Sequence, residues 1–216
     1  MTERVNYIQL APEPAASETS SGVSQQEQDR EPAGQPAIYV ASLSDYNNGI
    51  LHGAWIDATQ DETEVQTAIQ AMLDNSPTTR GTGEPAEEFA IHDYDSFGGL
   101  NLDENESIAT VTALARLIGQ QGQPFIVWAD IVGIESATAE DATDQFTSAY
   151  ASEYDSAEDY ARKMIAGPGL EAAIKKAGGS LAPYITIDYA AMVRNMIGDG
   201  DIYFADSGHG SVYVFH

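Results

Sequence analysis

His92 and the adjacent Asp93 are the first candidates for chemistry, because such a pair could belong to a metal-dependent hydrolase. A hydrolytic metal site needs several further ligands, and the chain has three other histidines, His52, His209 and His216. A surface or packing role for His92 at the end of a strand is therefore the favoured interpretation.

The segment that begins at Asp93 also matches part of a calcium-binding loop. Asp93, Asp95, Gly98 and Glu104 occupy positions 1, 3, 6 and 12 of that template. Position 5 should supply an oxygen ligand but holds Phe97, and the preceding residues have the pattern of a strand rather than a helix. Partial matches are expected in a chain so rich in acid, but a calcium-binding module stays open as an alternative.

No other pattern in the sequence indicates catalysis. The chain contains no G-x-S-x-G, no phosphate-binding loop and no dinucleotide-binding fingerprint. It has no cysteine, which excludes disulfides and thiolate metal sites. We therefore expect no catalytic residues, no metal and no cofactor.

The excess of acidic residues is the strongest signal in the sequence. The chain has 34 acidic and nine basic residues, a net charge of −25, and residues 37–216 carry −21 of it from 28 acidic and seven basic residues. Such a charge opposes compaction through self-repulsion, so it indicates either a high-salt source or a negative surface that binds a partner. Duplex DNA has one charge per about 1.7 Å, so 21 charges match roughly 36 Å of duplex.

Charge also indicates the kind of partner. The acidic chain would repel phosphates, so we do not expect nucleic acid as a ligand. We expect the partner to be a basic protein surface. Helix starts explain part of the acid, because carboxylates there cap free N–H groups and complement the helix dipole. They leave unexplained why so few lysines and arginines balance it elsewhere on the helices.

Residues 1–36 predict a disordered acidic leader, because they contain much Pro, Ser, Gln and Glu and few apolar residues. Val5, Tyr7, Ile8 and Leu10 could add an edge strand, but a frayed terminus is the favoured interpretation. The chain has no run of 18 apolar residues and no basic region followed by an apolar stretch. We therefore expect no membrane span and no secretory signal, and a cytoplasmic protein.

The first block of the folded chain, residues 37–100, predicts a three-stranded sheet with one helix across it. Strands are predicted at 37–43, 50–57 and 87–95, with turns at 45–49 and at Gly98-Gly99 and a loop at 75–85. The helix is predicted from Asp61 to Asp74, with a capping box that begins at Thr59.

The second block, residues 101–148, is predicted to be helical. Asp103 with Glu106 indicates the start of a helix, and Gly119 indicates its end. Residues 124–133 are ambiguous, because their β propensity favours a buried strand while Pro at the start and Gly at the end fit a short helix. Thr138 with Asp141 indicates a further helix through Tyr150.

The third block, residues 149–216, predicts helices followed by a closing hairpin. Ser156 with Asp159 caps the first helix, and residues 170–179 and 187–200 predict two more. Residues 201–207 and 211–216 predict the two hairpin strands. The predicted class is therefore α+β.

Three stretches resemble the ArdA antirestriction proteins: residues 38–58, residues 87–99, and residues 149–161 together with the 183–196 segment and the Tyr-Val-Phe ending. Their order and spacing fit over nearly all of residues 37–216. The leader has no counterpart, and the loop at 75–85 is enlarged.

The resemblance implies an inhibitor that imitates B-form DNA and blocks the DNA-binding channel of type I restriction-modification enzymes, with no cofactor and no catalysis. It implies an elongated chain of three small domains, paired through the C-terminal one into a homodimer, and a helix at 124–133. The apolar and aromatic ending indicates the dimer interface, assigned to Tyr203, Phe204, Tyr213, Val214 and Phe215.

The resemblance also implies acidic side chains at phosphate positions. The run from Glu153 to Asp159 is the candidate for the short acidic motif of the family. An acidic halophile-type binding protein of unrelated function remains the other alternative. The predicted DNA-mimic surface consists of Asp57, Asp61, Glu62, Glu64, Asp74, Glu87, Glu88, Asp93, Asp95, Asp103, Glu104, Glu106, Glu135, Glu140, Asp141, Asp144, Glu153, Asp155, Glu158 and Asp159.

Overall fold

The computed structural model describes residues 34–166, 168–200 and 202–216. The predicted leader, including Val5, Tyr7, Ile8 and Leu10, lies outside the described residues except for positions 34–36. Within the described part, no helix is long and apolar enough to cross a membrane.

The first sheet has three antiparallel strands in the order β2-β1-β3. They are β1 (Ala37–Ser42), β2 (Gly53–Asp57) and β3 (Phe89–Asp95). Their β-branched residues bury one face, and on β1 and β2 the paired Tyr39 and Trp55 place their ring centroids 5.6 Å apart. All three predicted strands are confirmed.

The helix α2 (Glu62–Asp74) packs across this sheet and buries Val65, Ile69, Met72 and Leu73. Its cap begins two residues later than predicted. The capping box joins Asp61 and Glu64, while the Thr59 hydroxyl donates instead to the Asp57 carboxylate at 2.6 Å. Asp61 is the better cap here because its carboxylate accepts the N–H of Glu64 at 2.9 Å.

Two short helices occupy segments predicted as a turn and a loop. They are α1 (Leu43–Asn47) and α3 (Pro77–Thr82). The buried carboxylate of Asp45 in α1 accepts the backbone N–H of Thr78 in α3 at 2.8 Å. The loop prediction was wrong for α3, because a partner 33 residues away stabilises a helix too short to be stable alone.

The middle helix α4 (Ile108–Gln121) differs from its prediction at both ends. Ser107 caps its start by accepting the N–H of Thr110 at 3.0 Å, while Asp103 accepts the N–H of Asn105 in the preceding turn. The helix passes through Gly119 and is capped by Gly122, whose positive φ of 71° favours glycine.

Residues 124–133 form a helix, as the family resemblance implied against their β propensity. This helix, α5 (Gln123–Val132), ends at Gly133 and is followed by α6 (Ile134–Ala137) and α7 (Ala142–Ala149). Thr138 does not begin α7 as predicted. It ends α6, where its hydroxyl donates to the carbonyl of Ile134 at 2.8 Å.

The C-terminal part contains a second antiparallel sheet, in the order β4-β6-β5. The predicted hairpin is confirmed as β5 (Tyr203–Asp206) and β6 (Val212–Phe215). The strand β4 (Tyr150–Tyr154) was not predicted, and its first residue, Tyr150, was assigned to a helix. The helices are α8 (Ala157–Ile165), α9 (Pro168–Gly178) and α10 (Tyr189–Asp199), with a 3₁₀ helix at Gly179–Tyr184. Ser156 caps α8 as predicted.

One buried cluster extends from Ile38 in the first sheet to Phe215 in the second. Its aromatic part runs from Phe125 through Phe146 and Tyr150 to Phe215, with successive ring centroids 5.5, 5.4 and 5.5 Å apart. The α+β class is thus confirmed, and the division at residues 100/101 and 148/149 stays a prediction.

Candidate partner-binding surface

The predicted acidic surface residues all keep contact with solvent. Sixteen of the twenty are exposed and four are half-buried. The half-buried ones are Asp57, Asp95, Glu106 and Asp159. The exposed ones are Asp61, Glu62, Glu64, Asp74, Glu87, Glu88, Asp93, Asp103, Glu104, Glu135, Glu140, Asp141, Asp144, Glu153, Asp155 and Glu158.

These acids are concentrated in one part of the chain. Residues 37–160, here called the acidic region, hold 23 acidic and two basic residues, a net charge of −21. Residues 161–216, here called the neutral region, hold five of each. The whole net charge of the folded chain therefore belongs to the acidic region.

Local helix stability accounts for some of the acid. At the start of α2, Asp61 accepts the N–H of Glu64, and Glu64 accepts the N–H of Asp61 in return at 3.3 Å. Glu62 and Glu64 also lie in the first turn, where a negative charge is stabilised by the helix dipole.

Other acids lie where the helix dipole opposes them. Asp74 is the last residue of α2, and Asp130 lies in the last turn of α5. Five helices of this region have no basic residue in their last turns: α2, α4, α5, α6 and α7. Negative charge at these ends lowers helix stability. At Asp74 a hydrogen bond from the Gln70 side-chain amide at 2.8 Å offsets part of that cost.

The acids around β3 and the following loop are oriented by short backbone contacts. Asp93 accepts the N–H of Tyr94 at 2.8 Å, and Asp103 accepts that of Asn105 at 2.9 Å. Such bonds restrict the carboxylates without neutralising them. A charged partner would therefore meet side chains that have lost part of their conformational freedom.

The run from Glu153 to Asp159 is divided between β4 and the start of α8. Glu153 accepts a hydrogen bond from the Ser211 hydroxyl, and Asp159 pairs with Lys163 at 2.7 Å. This pair is the one salt bridge formed between two described residues. Asp155 and Glu158 are the two exposed members without such a side-chain partner, so the run presents less free charge than its sequence indicates.

The same run influences its neighbours. Burial raises the pKa of Tyr150 and of Tyr213, and the Glu153 carboxylate raises each further. The hydrogen bond to Asp159 raises the pKa of Lys163, with the charges of Asp159 and Asp155 adding to it. Lys163 thus remains a cation inside an acidic run.

The predicted dimer-interface residues differ in exposure. Tyr203 is 49% exposed and Phe204 half-buried, but Tyr213, Val214 and Phe215 are buried within the chain itself. Of the five assigned residues, only Tyr203 and Phe204 therefore offer surface to a second copy of the chain, and the interface stays a prediction. These three residues belong to β6, which is the central strand of its sheet and pairs with β4 on one edge and with β5 on the other.

The structure does not assemble a metal site from the candidate ligands. Among the described residues, no group of three or more His, Asp or Glu side chains could hold a metal ion. Phe97, at position 5 of the calcium template, is 2% exposed in the core, and Asp93 and Asp95 belong to a strand. His92 is exposed and lies edge-on to the Tyr46 ring at 4.8 Å, as the packing interpretation expects.

Several surface residues were missed at the sequence level. Glu84, Asp130, Asp188, Asp199 and Asp206 are exposed acids outside the predicted set. A simple count of acids in the folded chain would have included them. Exposed apolar residues such as Leu51 (73% exposed) carried no sequence signal, because an isolated leucine in a strand pattern predicts burial.

Comparison with known proteins gives one family. The model of the family described as antirestriction protein (ArdA) matches residues 38–211, which is 174 of the 216 residues. No curated protein matches the chain.

Proposed function

The chain belongs to the ArdA family of antirestriction proteins, and from this premise we propose that it blocks type I restriction-modification enzymes by imitating B-form DNA. The observation that carries the proposal is the uncompensated charge of the acidic region. It has 23 acidic residues against two basic ones, and the predicted surface acids all reach solvent.

A partner explains this charge better than the fold does. Asp74 and Asp130 oppose the dipoles of their own helices, and Lys163–Asp159 is the single ion pair between described residues. Surface charges of one sign raise the free energy of the folded state. A basic channel that normally holds DNA would relieve that repulsion on binding.

The proposed mechanism needs no chemistry and no cofactor. Carboxylates take the place of phosphates in the channel and exclude DNA by occupying it. Exposed ion pairs contribute roughly 0–1 kcal/mol each, so affinity is shared among many acids. In the run from Glu153 to Asp159, Asp155 and Glu158 contribute most, because Glu153 and Asp159 already have partners.

A homodimer would extend the DNA-like acidic surface over two chains. The neutral region suits self-association, because it carries no net charge and exposes Leu181 (65%), Tyr184 (81%) and Ile197 (53%). Tyr203 lies on β5, which is an edge strand of its sheet. An obligate interface would bury about 2,000 Å² or more.

A competition assay tests the proposed function. The protein is added to a type I restriction-modification enzyme with its DNA, and DNA binding, cleavage and methylation are measured separately. Inhibition should be overcome by added DNA and should weaken as salt increases. Unchanged DNA binding at excess protein would rule out channel mimicry.

The same preparation tests the halophile alternative. Circular dichroism in low salt should show the folded protein, because the apolar core extends through both sheets. A protein that folds only at molar salt would favour an adaptation of the whole surface to salt.

A further inference from the structure

A surface pocket of about 550 Å³ opens within the acidic region between α1, β3 and the loop that follows β3. Its lining includes three residues with aromatic rings, Tyr46, His92 and Tyr94, and the acidic Glu104. Leu43 and Leu102, both half-buried, add apolar surface. A DNA mimic built from carboxylates alone has no need of such a pocket.

The rings of the pocket are held in place. Tyr46 meets His92 edge-on at 4.8 Å, and Tyr94 meets the buried Phe97 edge-on at 5.9 Å. These are preferred geometries for aromatic pairs. Tyr46 is nevertheless 53% exposed, so part of its ring remains open to a ligand.

The helix that carries Tyr46 is anchored by its neighbour in the sequence. Asp45 is fully buried and accepts the N–H of Thr78 at 2.8 Å. Burial raises the pKa of Asp45, but hydrogen bonds from Ser42, Ser76 and Thr78 outweigh it and hold the pKa well below its ordinary value. The buried Asp45 side chain thus ties α1 to α3 and fixes one wall of the pocket.

We propose that this pocket binds an arginine side chain of the partner protein, held by the rings of Tyr46 and Tyr94 and by the Glu104 carboxylate. This inference rests on the proposed function for the identity of the partner. The acidic region that contains the pocket has a net charge of −21, which favours a cation and disfavours phosphate. The aromatic walls select a cation with a flat, weakly hydrated group, and guanidinium stacks on rings more readily than ammonium does.

The chain itself uses the same combination elsewhere. Lys163 Nζ lies 5.3 Å from the centre of the Tyr154 ring and pairs with the carboxylate of Asp159 at 2.7 Å. The guanidinium carbon of Arg162 lies 5.1 Å from the centre of the Tyr189 ring. In the pocket, the ring and the carboxylate are present and the cation comes from the partner.

The consequence is a contact that differs from phosphate mimicry. Carboxylates facing a basic channel attract any cation from a distance. A pocket with aromatic walls binds one kind of side chain at one fixed position. Such aromatic–arginine contacts are frequent hot spots in interfaces. The pocket would thus set the register of the protein in the channel.

The first experiment probes the pocket without the enzyme. N-acetyl-arginine amide and N-acetyl-lysine amide are titrated into the full chain, and the tyrosine ring signals are followed by NMR. We expect saturable shifts of Tyr46 and Tyr94, in the millimolar range typical of a single small contact, with arginine at least about threefold tighter than lysine. Tyr46→Leu and Glu104→Gln should each weaken arginine binding, and Tyr39→Leu, which alters a tyrosine of β1 outside the pocket lining, should not.

The second experiment measures inhibition of the type I enzyme. Tyr46→Leu should raise the inhibition constant about tenfold and Glu104→Gln somewhat less, while Tyr39→Leu, in a tyrosine of β1 that does not line the pocket, leaves inhibition unchanged. Normal inhibition by Tyr46→Leu would overturn the pocket proposal and leave the proposed function intact. If the unaltered chain fails to inhibit, the proposed function fails, and the arginine site stands or falls on the titration. In the titration, shifts spread evenly over all tyrosines would overturn the proposed arginine site.

Discussion

The acidic and neutral regions follow different rules of surface electrostatics. The acidic region has two basic residues among 124, whereas the neutral region has five among 56 and no net charge. In the neutral region, α8 and α9 carry basic residues in their last turns, Arg162 with Lys163 and Lys175 with Lys176, where they complement the helix dipole, whereas α10 ends at Asp199 without one. The helices α2, α4 and α5 of the acidic region carry no basic residue in their last turns.

Exposed apolar residues show the opposite distribution. Among the residues whose exposure the structure describes, six large ones lie in the neutral region and four in the longer acidic region. Three of those four, Tyr46, Ile50 and Leu51, lie within six positions of each other, and Tyr46 lines the proposed arginine pocket. The difference suggests a division of labour, in which the acidic region meets the basic partner and the neutral region meets a second copy of the chain.

The largest expected effect is on the neutral region. Replacing Leu181 and Tyr184 together by Asp should dissociate the proposed dimer, at a cost of about 4 kcal/mol if each residue is a hot spot of about 2 kcal/mol. Light scattering and analytical ultracentrifugation at micromolar concentration would measure it. Leu51→Asp, an equally exposed site in the acidic region, is the matched control and should remain dimeric. A double variant that stays dimeric would place the interface elsewhere.

A somewhat smaller effect is expected from removing charge in the acidic region. Neutralising six exposed acids outside the first turns of helices should weaken inhibition by about 3 kcal/mol, or roughly 150-fold, at about 0.5 kcal/mol each. The six are Glu84, Glu87, Glu88, Asp130, Glu140 and Asp155.

The design of this series distinguishes shared from localised affinity. Six single variants should each change the inhibition constant by about twofold. One single change that abolishes inhibition, with fold and dimer intact, would contradict the shared-affinity account. Circular dichroism and light scattering provide those two controls.

Buried acid should behave differently from exposed acid within the same region. Asp45→Asn should lower the free energy of unfolding by about 2 kcal/mol, because it alters a fully buried hydrogen-bonded carboxylate. Since the folded pKa of Asp45 is depressed, this contribution is complete above the ordinary aspartate pKa of about 3.9 and declines as the pH falls below it. Urea unfolding of both proteins between pH 7 and pH 3 would test this. A stability difference that stays constant down to pH 3 would contradict an ionised Asp45.

The smallest expected effect has the opposite sign. Asp130→Asn should raise the free energy of unfolding by roughly 0.5 kcal/mol, because it removes a negative charge from the C-terminal turn of α5. The matched change in the neutral region is Asp206→Asn, an exposed strand residue that opposes no helix dipole. Thermal unfolding of both would show whether acid in the acidic region is held against the stability of its own helices. Destabilisation by Asp130→Asn would argue for a local structural role.

Much of the first sheet and of the closing hairpin was predictable, because alternating β-branched and aromatic residues report a local preference. The caps at Ser156 and near Asp61 were visible for the same reason. The cap at Ser107 was missed in favour of Asp103, since both satisfy the local pattern and only the position of the helix on the core decides between them. The strand β4 was missed because its pairing partner, β6, lies about 60 residues further along.

The sequence by itself determined the charge, its uneven distribution, the α+β class and the resemblance that identifies the family, since each depends on composition or on local order. Only the tertiary structure decided which groups are covered and which meet. It buries Tyr213, Val214 and Phe215 in the middle of a sheet, orders α3 through Asp45, and brings Tyr46, His92 and Glu104 to one pocket. These outcomes depend on contacts between residues far apart in the chain, whose energy no local pattern records.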